Sequence, residues 1–98
     1  MQWNVRLTAQ AKKQAQELPD GVQKRLKYLL EEIRNLGPVR TNWPNYGKLK
    51  GRPHCHHCHL KKGRPTYVAV WQERNQEIGL IEVRYVGTHQ KADYRRIC

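Results

Sequence analysis

Acidic residues are scarce in this sequence, and they are missing altogether between Glu32 and Glu73. That same stretch carries Arg34, Arg40, Lys48, Lys50, Arg52, Lys61, Lys62 and Arg64. Across the chain 19 Lys and Arg stand against 8 Asp and Glu, a formal net charge of +11. Such a field favours polyanions, mainly nucleic acid, or an acidic protein partner. Binding of that kind weakens steeply with salt. No apolar run approaches the roughly 20 residues needed to cross a bilayer. Met1-Gln2-Trp3-Asn4-Val5-Arg6 also lacks the basic-then-apolar layout of a signal peptide. The expectation is a cytoplasmic protein with no membrane contact. Cysteines number only three (Cys55, Cys58 and Cys98), an odd count that suggests no disulfide framework and reduced thiols. Cys58 reads as a small core residue and Cys98 as a frayed terminus. There is no Ser–His–Asp set, no glycine-rich phosphate loop and no paired carboxylates, and Asp93 is the one acid near the region singled out below.

What is present is one domain's worth of chain: 98 residues, expected to form a single domain over 1–98 with one modest core. Trp3, Val5 and Leu7 alternate with Asn4 and Arg6, the pattern of a short strand. Thr8 suits a helix N-cap before a first helix over 9–18, with Ala11, Ala15 and Leu18 on a thin apolar stripe. Asp20 is placed to cap a second helix. Val22, Leu26, Leu29, Leu30, Ile33 and Leu36 recur at three- and four-residue steps, a buried helical face. Gly37 and Pro38 stop that helix. Residues 38–53 read as a loop pinned by Trp43, Tyr46 and Leu49. Strand-like runs follow over 55–60, 66–72 and 78–86, with turns at 61–65 and 74–76. A polar tail closes the chain. The fold class is therefore α+β: an N-terminal strand, two helices, then a three-stranded antiparallel meander, with helices on one face of the sheet. The other face is left to present side chains.

The densest chemical signal is His54-Cys55-His56-His57-Cys58-His59. On a strand, side chains alternate between faces. Cys55, His57 and His59 share one face; His54, His56 and Cys58 share the other, and Leu60 marks that second set as core. His57 and His59 then project together from the open face, roughly 7 Å apart. Paired imidazoles suit RNA cleavage, which needs a base for the ribose 2′-OH proton and an acid for the departing 5′ oxygen. With a reference pKa of about 6.5, imidazole supplies either form near neutrality. Lys50, Arg52, Lys61, Lys62 and Arg64 can neutralise the phosphate as it gains charge.

The competing reading is zinc, since His and Cys are common ligands. A structural zinc site draws ligand pairs from separated segments, and only His89 and Cys98 lie elsewhere. The expectation is no metal and no cofactor. A third reading gives the histidines packing roles only. A second, weaker signal is Tyr85-Val86-Gly87-Thr88-His89-Gln90-Lys91-Ala92-Asp93-Tyr94, in which His89 follows a strand end and Tyr94 lies further on. It gains weight if the tail folds back beside the histidine strand.

Three motifs in order, Lys48-Leu49-Lys50-Gly51-Arg52-Pro53, Pro65-Thr66-Tyr67-Val68-Ala69-Val70-Trp71 and Val86-Gly87-Thr88-His89, resemble the RelE/ParE toxin superfamily over essentially the whole chain. The resemblance implies a RelE-like fold and the toxin of a type II toxin–antitoxin system. It also implies a metal-independent endoribonuclease that cuts mRNA in the ribosomal A site by 2′-OH attack, with a cognate antitoxin as partner. Two lysines of the family's second strand fall at His57 and His59. The arginine of the next strand falls at Thr66, with Arg64 the nearest substitute. A later arginine falls at His89 and the C-terminal tyrosine at Tyr94. The expected catalytic set is His57, His59, Arg64, His89 and Tyr94, with His57 or His59 as base and His89 as acid or phosphate ligand. Arg64 would stabilise charge, and Tyr94 would position the substrate or aid proton transfer. Lys48, Lys50, Arg52, Lys61, Lys62 and Lys91 are expected to bind RNA or the ribosome. Two alternatives stand beside this reading: a ParE-like toxin that inhibits a protein such as gyrase without cutting RNA, and a non-toxic zinc or nucleic-acid-binding module.

Overall fold

The structure, a computed structural model, describes residues 2–98. Strand β1 (Asn4–Leu7) leads directly into helix α1 (Ala9–Gln16). Thr8 caps α1 as expected: its hydroxyl accepts from the Ala11 amide at 3.0 Å. The helix stops at Gln16 rather than Leu18, but Leu18 is still buried as the chain turns. Helix α2 (Asp20–Leu36) has Pro19 at its N-cap, so Asp20 is not the capping residue. Asp20 occupies the first turn instead, where a carboxylate meets the positive end of the helix.

Val22, Leu26, Leu29 and Ile33 form the buried stripe of α2. Leu36 does not join it and is 63% exposed. The helix has already ended there: Gly37 takes φ +98° with its Cα against the Trp3 ring, where a Cβ would stand 3.1 Å from Trp3 Cζ2. Only glycine meets both demands.

Five strands make one sheet in the order β1-β5-β4-β3-β2. β3 (Arg52–Lys61), β4 (Tyr67–Asn75) and β5 (Leu80–Thr88) are the expected antiparallel meander; β3 and β4 are longer than expected, and β5 is shifted two residues along the chain, which leaves Ile78 exposed in the turn. β1 adds parallel to β5. β2 (Gly47–Leu49) lies inside the stretch read as a loop and pairs with β3. Two glycines and flanking prolines hid this edge strand. The rest of that stretch is tied to α2 through Glu32, whose Oε1 accepts from Arg40, Asn42 and Trp43. Burial alone would raise the Glu32 pKa, but these donors outweigh it and hold the carboxyl below its ordinary value.

The main core lies between the helices and one face of the sheet. Trp71, Leu29, Ile33, Leu60 and Ile81 are its largest fully buried apolar members, each contributing about 1.5–3 kcal/mol of burial. Trp71 also donates its indole N–H to the Pro38 carbonyl at 3.0 Å. The second face is less open than expected. After β5 the tail forms a 3-10 turn (His89–Lys91) and a one-turn helix, α3 (Tyr94–Ile97), instead of running free. Tyr94, Ile97 and Cys98 pack there on Val68, Val70 and Tyr85.

The cysteine expectation is corrected here. Cys55 and Cys98 form a disulfide across a sequence separation of 43, so Cys98 is neither frayed nor a free thiol. Cys58 is the free, buried cysteine, and burial pushes its thiol up to about 12, which makes it an inert core residue.

Candidate active site

Strand alternation along β3 divides the histidine cluster between the two faces. His56, on the helix side, is completely buried and stacks on Trp71 with ring centroids 5.8 Å apart. The Tyr46 hydroxyl donates to its Nδ1 at 2.7 Å, and its Nε2–H donates to Glu73 Oε2 at 2.7 Å. Desolvation lowers the His56 pKa, with Glu73 pulling the other way. Both ring nitrogens are therefore used in tying β3 to β4 and to the residue that leads into β2, and none remains for substrate. His54 is exposed at the strand's start.

His57 and His59 leave β3 on the opposite face, where they pair with Val70 and Val68 of β4. Their Nδ1 atoms are buried and have no hydrogen-bond partner among the described residues. The tail brings the other groups. His89 sits past the end of β5, its amide donating to the Thr66 carbonyl at 2.8 Å. Its ring meets His59 edge-on at a centroid distance of 5.8 Å. Tyr94 of α3 lies 5.8 Å from His57 and 6.3 Å from His89. Three imidazoles and one phenol from β3 and the tail thus converge, as the fold-back condition required. Two distant segments supply them, so no local motif carries the whole set.

The electrostatics suit proton transfer. Desolvation, followed by repulsion from His59, His89 and His56, lowers the His57 pKa. Desolvation, then His89 and Lys62, lowers that of His59. Both imidazoles are consequently neutral near pH 7 and able to accept a proton. Desolvation, then the neighbouring Tyr85, raises the Tyr94 pKa, so its hydroxyl stays protonated.

The basic residues distribute unevenly around this centre. Arg64 is exposed in the β3–β4 hairpin and lines a shallow depression of about 650 Å³ together with His89, Thr66 and Gln90. It therefore flanks His89 at the rim. Lys50, Lys61, Lys62 and Lys91 are exposed, and Arg52 is half-buried. Lys48 pairs with His56, not His57, and so leaves β2 on the helix side of the sheet, off the histidine face. The one-residue offset between Lys48 and Gly47 decides this: Gly47 is the residue beside the His57 ring, 3.5 Å from its Nε2 at a built Cβ position. A larger groove of about 830 Å³ runs between α1, β5 and the tail, past Gln14, Arg84 and Arg96, and contains no histidine.

Sequence reasoning missed two supporting residues. Tyr85 donates its hydroxyl to the Thr88 carbonyl at 2.8 Å and fixes the strand end that carries His89. Its ring lies under Gly87, where a Cβ would come within 2.7 Å of the hydroxyl. Arg84 donates its Nε to the Ile97 carbonyl and holds α3. Strand alternation could have found Tyr85, since it opposes Val70, itself opposite His57.

The chain is RelE-like. It superposes on a free E. coli RelE carrying two arginine-to-alanine changes with a TM-score of 0.72 and 26% identity, covering 99% of this chain and 90% of that one. The RelE-like match in the intact E. coli RelBE toxin–antitoxin complex has a TM-score of 0.66 at 26% identity, covering 93% and 98%. An archaeal RelE–RelB complex from Pyrococcus horikoshii shares the fold, at TM-score 0.64 and 17% identity over 94% and 100%. No protein-family model matches the chain, and no curated protein matches its sequence.

Proposed function

We propose that this RelE-like chain is the toxin of a toxin–antitoxin pair and an endoribonuclease that cuts mRNA in the ribosomal A site. The observation that carries this reading is the meeting of His57, His59, His89 and Tyr94 on one face of a chain with net charge +11. His57 or His59, held neutral by desolvation, takes the proton of the ribose 2′-OH. The 2′ oxygen attacks the adjacent phosphorus, and the bond to the 5′ oxygen breaks. His89 delivers a proton to that oxygen or binds the phosphate, and Tyr94 positions the sugar–phosphate or aids the transfer. Arg64, at the rim beside His89, offsets the charge that builds on the phosphate. Lys50, Arg52, Lys61, Lys62 and Lys91 draw in the RNA and ribosome. Every step uses groups that move protons or screen charge, so the reading invokes no metal.

The partner proposal follows from the same likeness, since RelE has been solved in complex with its antitoxin RelB. An acidic, partly disordered chain would suit this basic surface. The site of action is the cytoplasm, where ribosomes and transcripts are; among the described residues no helix is long and apolar enough to cross a membrane.

Primer extension on total RNA after induction tests the reading. Wild type should give new cleavage stops in open reading frames, and His57→Ala should give none. Intact transcripts together with DNA damage would replace it with the gyrase-directed reading. Stoichiometric zinc in the purified protein would favour the zinc module.

A further inference from the structure

The Cys55–Cys98 bond joins the site to the end of the chain. Cys55 lies on β3 two residues before His57 and on the same face, and Cys98 lies four residues after Tyr94. Little else holds this segment down. α3 has four residues, too few to be stable as an isolated helix. Its backbone hydrogen bonds are internal: Arg96 and Ile97 donate to Asp93, and Cys98 donates to Tyr94. Among the described residues, no backbone hydrogen bond links the chain beyond His89 to the sheet. No residue of the segment is fully buried, and Arg95 and Arg96 are exposed. What remains is the packing of Ala92, Tyr94 and Ile97 on Val68, Val70 and Tyr85, the Tyr94 ring contacts with His57 and His89, and the Arg84 bond to the Ile97 carbonyl.

We propose that Cys55 and Cys98 form a redox control site: the disulfide clamps residues 92–98 over the histidine face and keeps Tyr94 in the site, and reduction releases both. The exchange is balanced. A low-molecular-weight disulfide such as oxidised glutathione accepts two electrons and two protons from the two thiols, giving the protein disulfide and two small thiols. In the reverse direction a small thiolate attacks Cys98, since Cys55 is buried and Cys98 is half-exposed. Reducing cytosol makes such a bond conditional rather than permanent, which is how cytosolic disulfides are ordinarily used. The oxidised chain is the assembled form, and the reduced chain is the open one. The consequence for cleavage rests on the function proposed above; the consequence for the segment does not.

The test uses the full-length protein in oxidised glutathione and in excess dithiol, with Cys98→Ser as a chain that cannot close. Amide exchange over residues 92–98 and ring contacts between Tyr94 and His57 by NMR report the segment. Cleavage on mRNA-programmed ribosomes reports the activity. Reduction should speed exchange over 92–98 at least tenfold, leave β3–β5 protected, abolish the ring contacts and cut cleavage at least tenfold. Cys98→Ser should behave as the reduced chain in both buffers. Equal protection of the segment in both buffers overturns the proposal, as does Cys98→Ser with the oxidised protein's exchange and ring contacts. If the segment opens on reduction but wild type cuts no RNA in either buffer, the clamp stands and the nuclease reading fails.

Discussion

His56 and His57 are adjacent in the chain and opposite in circumstance. His56 faces the helices, with both ring nitrogens bonded and its ring stacked on Trp71. His57 faces the tail, near Tyr94, with Nδ1 unpartnered among the described residues. The same side chain on the same strand is a structural tie on one face and, in the function proposed above, a proton-transfer group on the other. What decides is the period-two geometry of β3 together with what covers each face. The helix side is sealed by a broad apolar core; the other side is covered by one short segment held by a disulfide.

The sharpest break in this comparison is His57→Ala, which should reduce cleavage by about 10²–10⁴-fold, the usual worth of a general base. Its thermal stability should stay closer to wild type than that of a His56 variant, since among the described residues the His57 ring packs on Tyr94 but makes no hydrogen bond. A melting curve beside a cleavage assay checks both halves. Next in size is reduction of the disulfide. Chain-entropy arguments for a loop of this length give a loss of about 4 kcal/mol in unfolding free energy, readable by urea unfolding with and without dithiol. His56→Ala comes third. It strands Glu73 and Tyr46 and leaves a void beside Trp71, and should cost about 2–4 kcal/mol. Cleavage per folded molecule should survive, the reverse of the His57→Ala outcome.

The smallest effect is on pH. His56, His57 and His59 all have folded-state pKa values below the ordinary imidazole value of about 6.5. The unfolded chain therefore binds protons first as pH falls. Their contribution to stability is whole above about pH 6.5 and declines below it, until the folded forms protonate too. Melting temperature should hold from pH 8 to about pH 6.5 and drop from there to pH 5, and drop less in His57→Ala.

Much of this was legible in the residues. The three- and four-residue apolar steps mark α2, and the alternation along β3 separates His56 from His57 and His59. The motif order led to the RelE-like fold, which the solved RelE structures bear out. Elements whose stability comes from partners were not legible. β2 is a three-residue edge strand that exists only by pairing with β3. α3 is one turn that exists only by packing on β4 and β5 and by its bond to Cys55. An odd cysteine count concealed the disulfide, because one of the three is a core residue. Charge alone places Lys48 in the RNA-binding set, but the pairing register turns it to the helix side of the sheet.

The central claim is that imidazoles from β3 and the tail cut RNA by internal attack of the 2′ oxygen. The most direct measurement is the chemistry of the ends produced by the purified oxidised chain on mRNA-programmed ribosomes. Fragments ending in a 2′,3′-cyclic phosphate, each followed by one beginning with a 5′-hydroxyl, are the predicted result. Fragments beginning with a 5′-phosphate, or uncut message, would contradict it.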